Sequence, residues 1–206
     1  MSQLFRIHPD NPQDRLIKQA VEILRNGGLI VYPTDAAYAV GCRLTNKKAI
    51  ERIRLIRRVE QDNDFALVCR DLSEVAIYAQ VTNAVFRSIK VGTPGAYTFI
   101  LPATREVPKG LIDAKRRTIG VRVPDNNICR ALLNSLGEPI LSTTLILPGD
   151  EYPLSDPSEI RDVMPQQTDL IIDGGFCGLE LTTVVSFAED APEVIRAGMG
   201  DVALFG

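Results

Sequence analysis

Apolar residues recur along this chain in blocks of helical spacing separated by short extended runs. After Asn11 and Pro12, the positions Leu16, Ile17, Ala20, Val21 and Leu24 fall on one helical face until Gly27. Asn offers a side-chain acceptor to the free amides of a first turn and Pro a preset φ, so the helix is expected to start there. The continuous apolar run in GLIVYPTD then predicts a strand buried on both faces, which Pro33 stops and which delivers Thr34 and Asp35 into a loop. Asn46 can cap a second helix with Ala49, Ile50, Ile53 and Ile56 inside. FALVC reads as a strand, Asp71 caps a helix carrying Leu72, Val75, Ala76 and Ala79, and Thr82 opens another through Ile89.

The second half continues the alternation. AYTFIL is a strand, TIGVRVP alternates as a half-buried strand does, and Asp125 is placed to cap the helix NNICRALLNSL, closed by Gly137. PILSTTLIL is read as one strand, Asp156 and Pro157 start a short acidic helix, TDLIIDGG ends in a turn, LTTVVSF is a strand, and EVIRAGMGD forms a last strand and loop. Strands interleaved with helices make the class α/β. Several connections are too short for crossovers, so the twisted, open sheet is expected to be mixed.

A length of 206 residues with 45% hydrophobic and 24% charged residues predicts one globular domain, 1–206, with a sizeable core. No apolar run approaches the roughly 18 residues of a membrane span, and MSQLFRIHPDNPQDR lacks the layout of a signal peptide, so a cytoplasmic protein is expected. Cys42, Cys69, Cys129 and Cys177 stand far apart without CxxC spacing, and His8 is the sole histidine. Reduced structural thiols and no metal site are the resulting expectation.

A net charge of −3 argues against a general nucleic-acid binder, but the charge is uneven. NKKAIERIRLIRR carries Lys47, Lys48, Arg52, Arg54, Arg57 and Arg58 against Glu51, and DAKRRT adds Lys115, Arg116 and Arg117. Either a solvated helix face or an anion-facing patch explains such a run. GxxxxGK[ST] and GxGxxG are both absent. Polar residues instead gather at strand ends, where open α/β sheets bind ligands: Thr34 and Asp35, Arg57 and Arg58, Thr118 and Arg122, Ser142 to Thr144, Thr182 and Thr183, and Arg196. Thr34 and Asp35 could equally shape a turn. Arg122, flanked by Val121 and Val123, needs a partner if covered, and a bound carboxylate or phosphate would serve as well as a protein carboxylate.

LIVYPTDAAYAVGC, PGAYTFIL, TIGVRVP and EPILSTTLILPG, in that order over most of the chain, resemble the YrdC/YciO-like family, and the YciO branch of it more than the threonylcarbamoyl-adenylate synthases. The resemblance implies a YrdC-like twisted sheet with a concave, basic face. For the synthases it implies ATP, with Mg²⁺ alongside, L-threonine and bicarbonate as substrates, pyrophosphate release, and a product used in tRNA modification. Double-stranded RNA or tRNA are the macromolecular partners it implies. By the same resemblance Thr34, Thr118, Arg122, Ser142, Thr182 and Arg196 are expected to face nucleotide or threonine and Arg57 and Thr144 to be catalytic, while the two basic runs would supply Arg52, Arg54, Arg58, Lys115, Arg116 and Arg117 as contacts to RNA phosphates.

The sequence departs from the synthase pattern at the central tetrad. Where synthases carry Lys-x-Arg this chain has Arg57 and Val59, followed by Glu60 in place of Pro, and where they carry Ser-x-Asn it has Thr144 and Ile146. The loop PTDT is Pro33 to Ala36. Lys and Arg differ in donor geometry, and valine and isoleucine side chains donate nothing. Losing one positioned donor typically costs on the order of 3 kcal/mol of transition-state stabilisation. The expectation is therefore a nucleotide- and RNA-binding relative with weak or lost synthase activity. An active synthase is the alternative, and a purely regulatory or interaction role a third.

Overall fold

The computed structural model describes residues 2–58, 65–113, 115–189 and 191–205. Helix α1 (Asp14–Arg25) buries Ile17, Ala20, Val21 and Leu24, the stripe read from the sequence. It starts at Asp14, later than expected, because Gln13 rather than Asn11 precedes its first turn; the Asn11 amide donates to His8 Nδ1 at 3.2 Å. Helix α2 (Lys47–Arg57) is capped by Asn46, which accepts from the Ala49 amide at 3.2 Å. α3 (Leu72–Tyr78) and α4 (Asn83–Val91) take their caps from Asp71 and Thr82. Helix α5 (Asn127–Leu136) ends at Gly137 with φ 78°, a left-handed conformation that glycine adopts without a Cβ clash. Its cap is Asn126, accepting from the Cys129 amide at 3.0 Å, and not Asp125, whose carboxylate pairs with Arg130. α6 (Pro157–Val163) follows Asp156 as expected.

Among the described residues ten strands form one sheet: β1 (Gln3–Arg6), β2 (Ile30–Tyr32), β3 (Ala39–Arg43), β4 (Ala66–Val68), β5 (Tyr97–Pro102), β6 (Thr118–Arg122), β7 (Ile140–Thr144), β8 (Leu170–Asp173), β9 (Thr183–Ser186) and β10 (Glu193–Arg196). Their order is β1-β8-β2-β3-β7-β4-β6-β5-β9-β10, mixed in direction and open at both edges. β1 and β3 lie outside the strands expected from sequence: Gln3–Arg6 is short and flanked by polar residues, and Ala39–Arg43 follows its neighbour too closely to stand out. β7 stops at Thr144, so Leu145 to Leu147 leave the ladder.

Strand parity sorts the side chains onto two faces. Ile30, Tyr32, Ala39, Val68, Ile140, Leu170 and Ile172 share one face and pack beneath α1 and α5. Val31, Val40, Leu67, Phe99, Leu101, Val121, Leu141 and Val185 point the other way, into a larger core that includes Ile50 and Ile53 of α2. On the first face the apolar cluster ends at Val68: its buried members include none from β5, β6, β9 or β10. That half of the face has no helix of the cluster above it. Among the described residues no helix is long and apolar enough to cross a membrane.

Burial pushes the thiol of Cys42 up to about 12 and that of Cys177 up to about 11, and raises the Cys69 and Cys129 thiols and the Tyr32 phenol as well. These groups ionise in the unfolded chain before they do so in the native one. Their stabilising share is full below about pH 8.5 and is lost as pH rises through the native values. Urea midpoints should therefore fall steadily between pH 8.5 and 10.5, and Cys42→Val should flatten that fall by about 2 kcal/mol at pH 10.5. A midpoint independent of pH over this range would contradict the assignment.

Candidate functional site

The uncovered half of the sheet face forms a cavity of about 580 Å³. Its floor follows the ladder register: Gly41 lies opposite Ser142, Ser142 opposite Ala66, Ala66 opposite Gly120, and Gly120 opposite Ile100. Ser142, Ala66, Gly120 and Ile100 of this row line the cavity. Small side chains at successive strands leave room above the sheet. At Gly120 an added Cβ would lie 3.1 Å from the Phe65 carbonyl and 3.3 Å from the Ala66 Cβ, so the strand here has little space for a larger residue.

Arg122, on β6 opposite Val68, is 7% exposed and lines the cavity. Its Nη2 donates to Asp35 Oδ1 in the loop after β2, and the other oxygen of Asp35 accepts from the Asp125 amide at 3.0 Å. The Arg122 Nε is buried and has no hydrogen-bond partner among the described residues. A buried donor left unmatched is rare and costs roughly 1–3 kcal/mol, more where the group is charged, so it is a feature that a bound acceptor would relieve. Of the two partners left open by the sequence the structure shows the protein carboxylate, which takes one nitrogen of Arg122 and leaves another unmatched.

Other arginines frame the same space. Arg57, the last residue of α2, lines the cavity and donates to the Ile146 main-chain carbonyl. Arg196 donates from Nε and Nη2 to the Thr182 carbonyl at 3.2 and 2.9 Å, and the Thr182 hydroxyl meets that of Thr98 at 2.8 Å. Thr118, Thr144 and Thr182 line the wall, and Arg116 stands at the rim beside Asp113, whose carboxylate accepts from the Lys115 and Arg116 amides at 2.9 and 2.6 Å.

Several expected site residues lie elsewhere. The Thr34 hydroxyl donates to the Ala37 carbonyl at 2.6 Å and accepts from the Ala36 amide at 3.1 Å, so it shapes its own turn and does not line the cavity. Arg52 pairs with Asp169 at 2.8 Å and donates to the Gln167 carbonyl, while Arg54 pairs with Glu51, donates to the Gly110 carbonyl and sits over the Phe65 ring. Both are held by protein partners away from the cavity lining. Arg58, Lys115 and Arg117 are exposed. Val59 and Glu60 fall outside the described residues. The lining also includes Thr98, Val184, Leu181, Ile195 and Asp113, which the sequence reading missed. For Thr98 the signal was available, since in YTFILP the residues Tyr97, Phe99 and Leu101 turn to the core and their neighbours must face away.

Among the described residues Asp113 is the one carboxylate lining the cavity, and no group of three or more His, Cys, Asp or Glu could hold a metal ion. These residues do not make a magnesium cage. An ion arriving with a nucleotide would take its oxygen ligands from phosphate.

An open mixed sheet with one half-covered face and an arginine-framed cavity defines an α/β scaffold with a candidate anion site. The family model Sua5/YciO/YrdC, described as Telomere recombination, matches residues 22–198, and the chain belongs to that family. The uncharacterized protein YciO of Escherichia coli is 57% identical over the full length of both chains, and its crystal structure superposes with a TM-score of 0.97. The threonylcarbamoyl-AMP synthase of Vibrio vulnificus is 27% identical over 77% of this chain and 86% of its own. The crystal structure of P. abyssi Sua5 complexed with L-threonine shares the fold at TM-score 0.85 and 23% identity, over 96% of this chain and 58% of that longer one.

The Asp35–Arg122 pair has 9% side-chain exposure on both sides. Removing one partner of a buried pair strands the other charge, so Asp35→Ala should destabilise the fold by about 3 kcal/mol in urea denaturation, whereas Asp125→Ala, at an exposed pair, should cost under about 1 kcal/mol. Equal costs would show that the pair is not a buried anchor.

Proposed function

We propose that this chain, as one YrdC-like domain over 1–206, is a cytoplasmic nucleotide-binding protein related to the threonylcarbamoyl-AMP synthases, with weak or absent turnover of ATP, L-threonine and bicarbonate. The observation that carries the reading is the buried, unmatched Nε of Arg122 on the floor of a cavity framed by Arg57, Arg116 and Arg196. A carboxylate or phosphate oxygen supplies the acceptor that Nε lacks, and the other guanidinium groups favour an anion in the same space. The volume of about 580 Å³ lies within the usual range for small-molecule and cofactor sites. L-threonine, bound by the Sua5 relative, brings a carboxylate of the required kind.

Weak turnover follows from the wall beside Thr144. Ile146 offers an apolar side chain there, and its carbonyl engages Arg57. With the amide side chain of the synthase pattern missing, a rate at least about a hundredfold below an active synthase is expected. The assay follows pyrophosphate in the presence of ATP, L-threonine and bicarbonate. Isothermal titration with ATP should give binding that Arg122→Met weakens at least tenfold. No ATP or threonine binding to the wild-type protein would overturn the reading.

A specific observation favours the second reading, an active synthase: Arg57, Thr118, Thr144, Arg122 and Arg196 all line one cavity despite their distance in sequence. Threonine-dependent pyrophosphate release at a rate comparable with a synthase relative would establish it over the first.

The RNA component rests on Lys115, Arg116 and Arg117, consecutive exposed residues of which Arg116 lines the cavity, with Arg58 exposed at the end of α2. Three to four phosphate contacts give a slope of about −3 for log affinity against log salt on duplex RNA. Anisotropy titrations with tRNA and duplex RNA between 50 and 200 mM salt should show an affinity loss of roughly fiftyfold. Absence of binding at low salt would remove RNA from the proposal and leave the nucleotide site intact.

A further inference from the structure

The hydroxyl groups of the cavity floor have a fixed direction that the arginines do not reveal. Tyr32, fully buried on β2, donates its phenolic proton to Ser142 Oγ at 2.8 Å. Ser142, 3% exposed on β7, donates its own proton to the Val40 carbonyl at 3.2 Å. The Tyr32 hydroxyl has no other hydrogen-bond partner among the described residues, so reversing the pair would leave its proton buried with no acceptor. A serine hydroxyl has one proton and two lone pairs. Here the proton and one lone pair are committed, and one lone pair remains on a residue that lines the cavity.

We infer that Ser142 is an acceptor-only contact that selects an N–H donor on the ligand, and that Tyr32 is the positioning residue which sets this polarity. The inference rests on the nucleotide-binding reading and adds to it the orientation of what is bound. A phosphate or carboxylate oxygen has no proton to offer Ser142 and is turned away from it, whereas Arg122 offers only donors. Strand β4 lies between the two residues, and Arg122 is offset by two positions along the register from the row of Ser142. Strand spacing and rise put their Cα atoms roughly 12 Å apart, so the two polarities meet different parts of an extended ligand. The donor could be a nucleobase amine or the ammonium group of an amino acid. Both share the chemistry, and the test separates them.

Isothermal titration of the full chain uses two pairs of probes: ATP against purine riboside triphosphate, which lacks the 6-amino group, and L-threonine against 3-hydroxybutyrate, which lacks the ammonium. The wild-type protein should prefer the amine-bearing member of one pair at least tenfold, and that pair identifies the source of the donor. Ser142→Ala should bring the ratio within threefold. Tyr32→Phe should narrow it at least threefold, because the serine hydroxyl is no longer pinned by an incoming bond. A merely structural role would lower both members of a pair equally and leave the ratio unmoved. Equal affinity within both pairs, or a ratio unchanged by Ser142→Ala, overturns the inference while leaving ligand binding in place. If Tyr32→Phe fails to fold, the ratio in Ser142→Ala decides; if it folds with the wild-type ratio, the role given to Tyr32 is overturned. Failure of all four probes to bind overturns the nucleotide reading together with the inference built on it.

Discussion

A guanidinium carried on the face of a β-sheet limits what can be packed over it. Arg122 stands near the middle of the ten-stranded sheet, 7% exposed and with one carboxylate to compensate, and an apolar helix laid across β6 would bring no acceptor for its unmatched Nε. Helices α1 and α5 stop short of that cost: the apolar cluster beneath them ends at Val68, the residue opposite Arg122 in the ladder. The uncovered half-face is therefore a consequence of one charged strand position. It becomes a cavity because its floor is paved with Ser142, Ala66 and Gly120.

The same arginine organises the segment that follows β2. Its partner Asp35 also receives the Asp125 amide, so one carboxylate ties the loop after β2 to β6 and to the entry of α5. Cys129 on that helix donates to the Pro33 carbonyl at 3.2 Å, and Thr34 closes the turn upon itself. The loop that the sequence offers as a candidate binding element is thereby held rigid by internal bonds. It does not line the cavity itself and acts on it through the placement of Arg122.

Much of this architecture was legible from residue patterns. The caps at Asn46, Asp71, Thr82 and Asp156, the stop at Gly137 and the apolar stripes of α1 and α5 are local features, and local features are written locally. β1 and β3 were illegible because their pairing, and not their composition, makes them strands: β1 is an edge that depends on β8, far away in sequence. The site was legible in part. Thr118, Arg122, Ser142, Thr144, Thr182, Arg196, Arg116 and Arg57 meet at one cavity because strand register brings them there. Arg52 and Arg54 could not be told apart from Arg57 by spacing alone, since their partners Asp169 and the Gly110 carbonyl come from remote segments.

Hydroxyl side chains show most clearly why residue type underdetermines a site. Thr34 follows a strand, Thr183 opens one and Ser142 lies within one, and each carries one proton and two lone pairs. Thr34 uses its proton and accepts one bond within its own turn, and Thr183 does the same between the Gly200 carbonyl and the Gly198 amide, holding the last loop against β9. Ser142 also spends its proton and accepts one bond, yet its position on the uncovered floor leaves its remaining lone pair at the cavity. The difference between a structural hydroxyl and a recognising one is thus set by which sheet face it occupies. That face lacks an apolar helix where Arg122 keeps a donor unmatched, so the arginine and the serine belong to one physical argument: the arginine opposes an apolar cover, and the buried tyrosine fixes the direction of the serine hydroxyl on the floor.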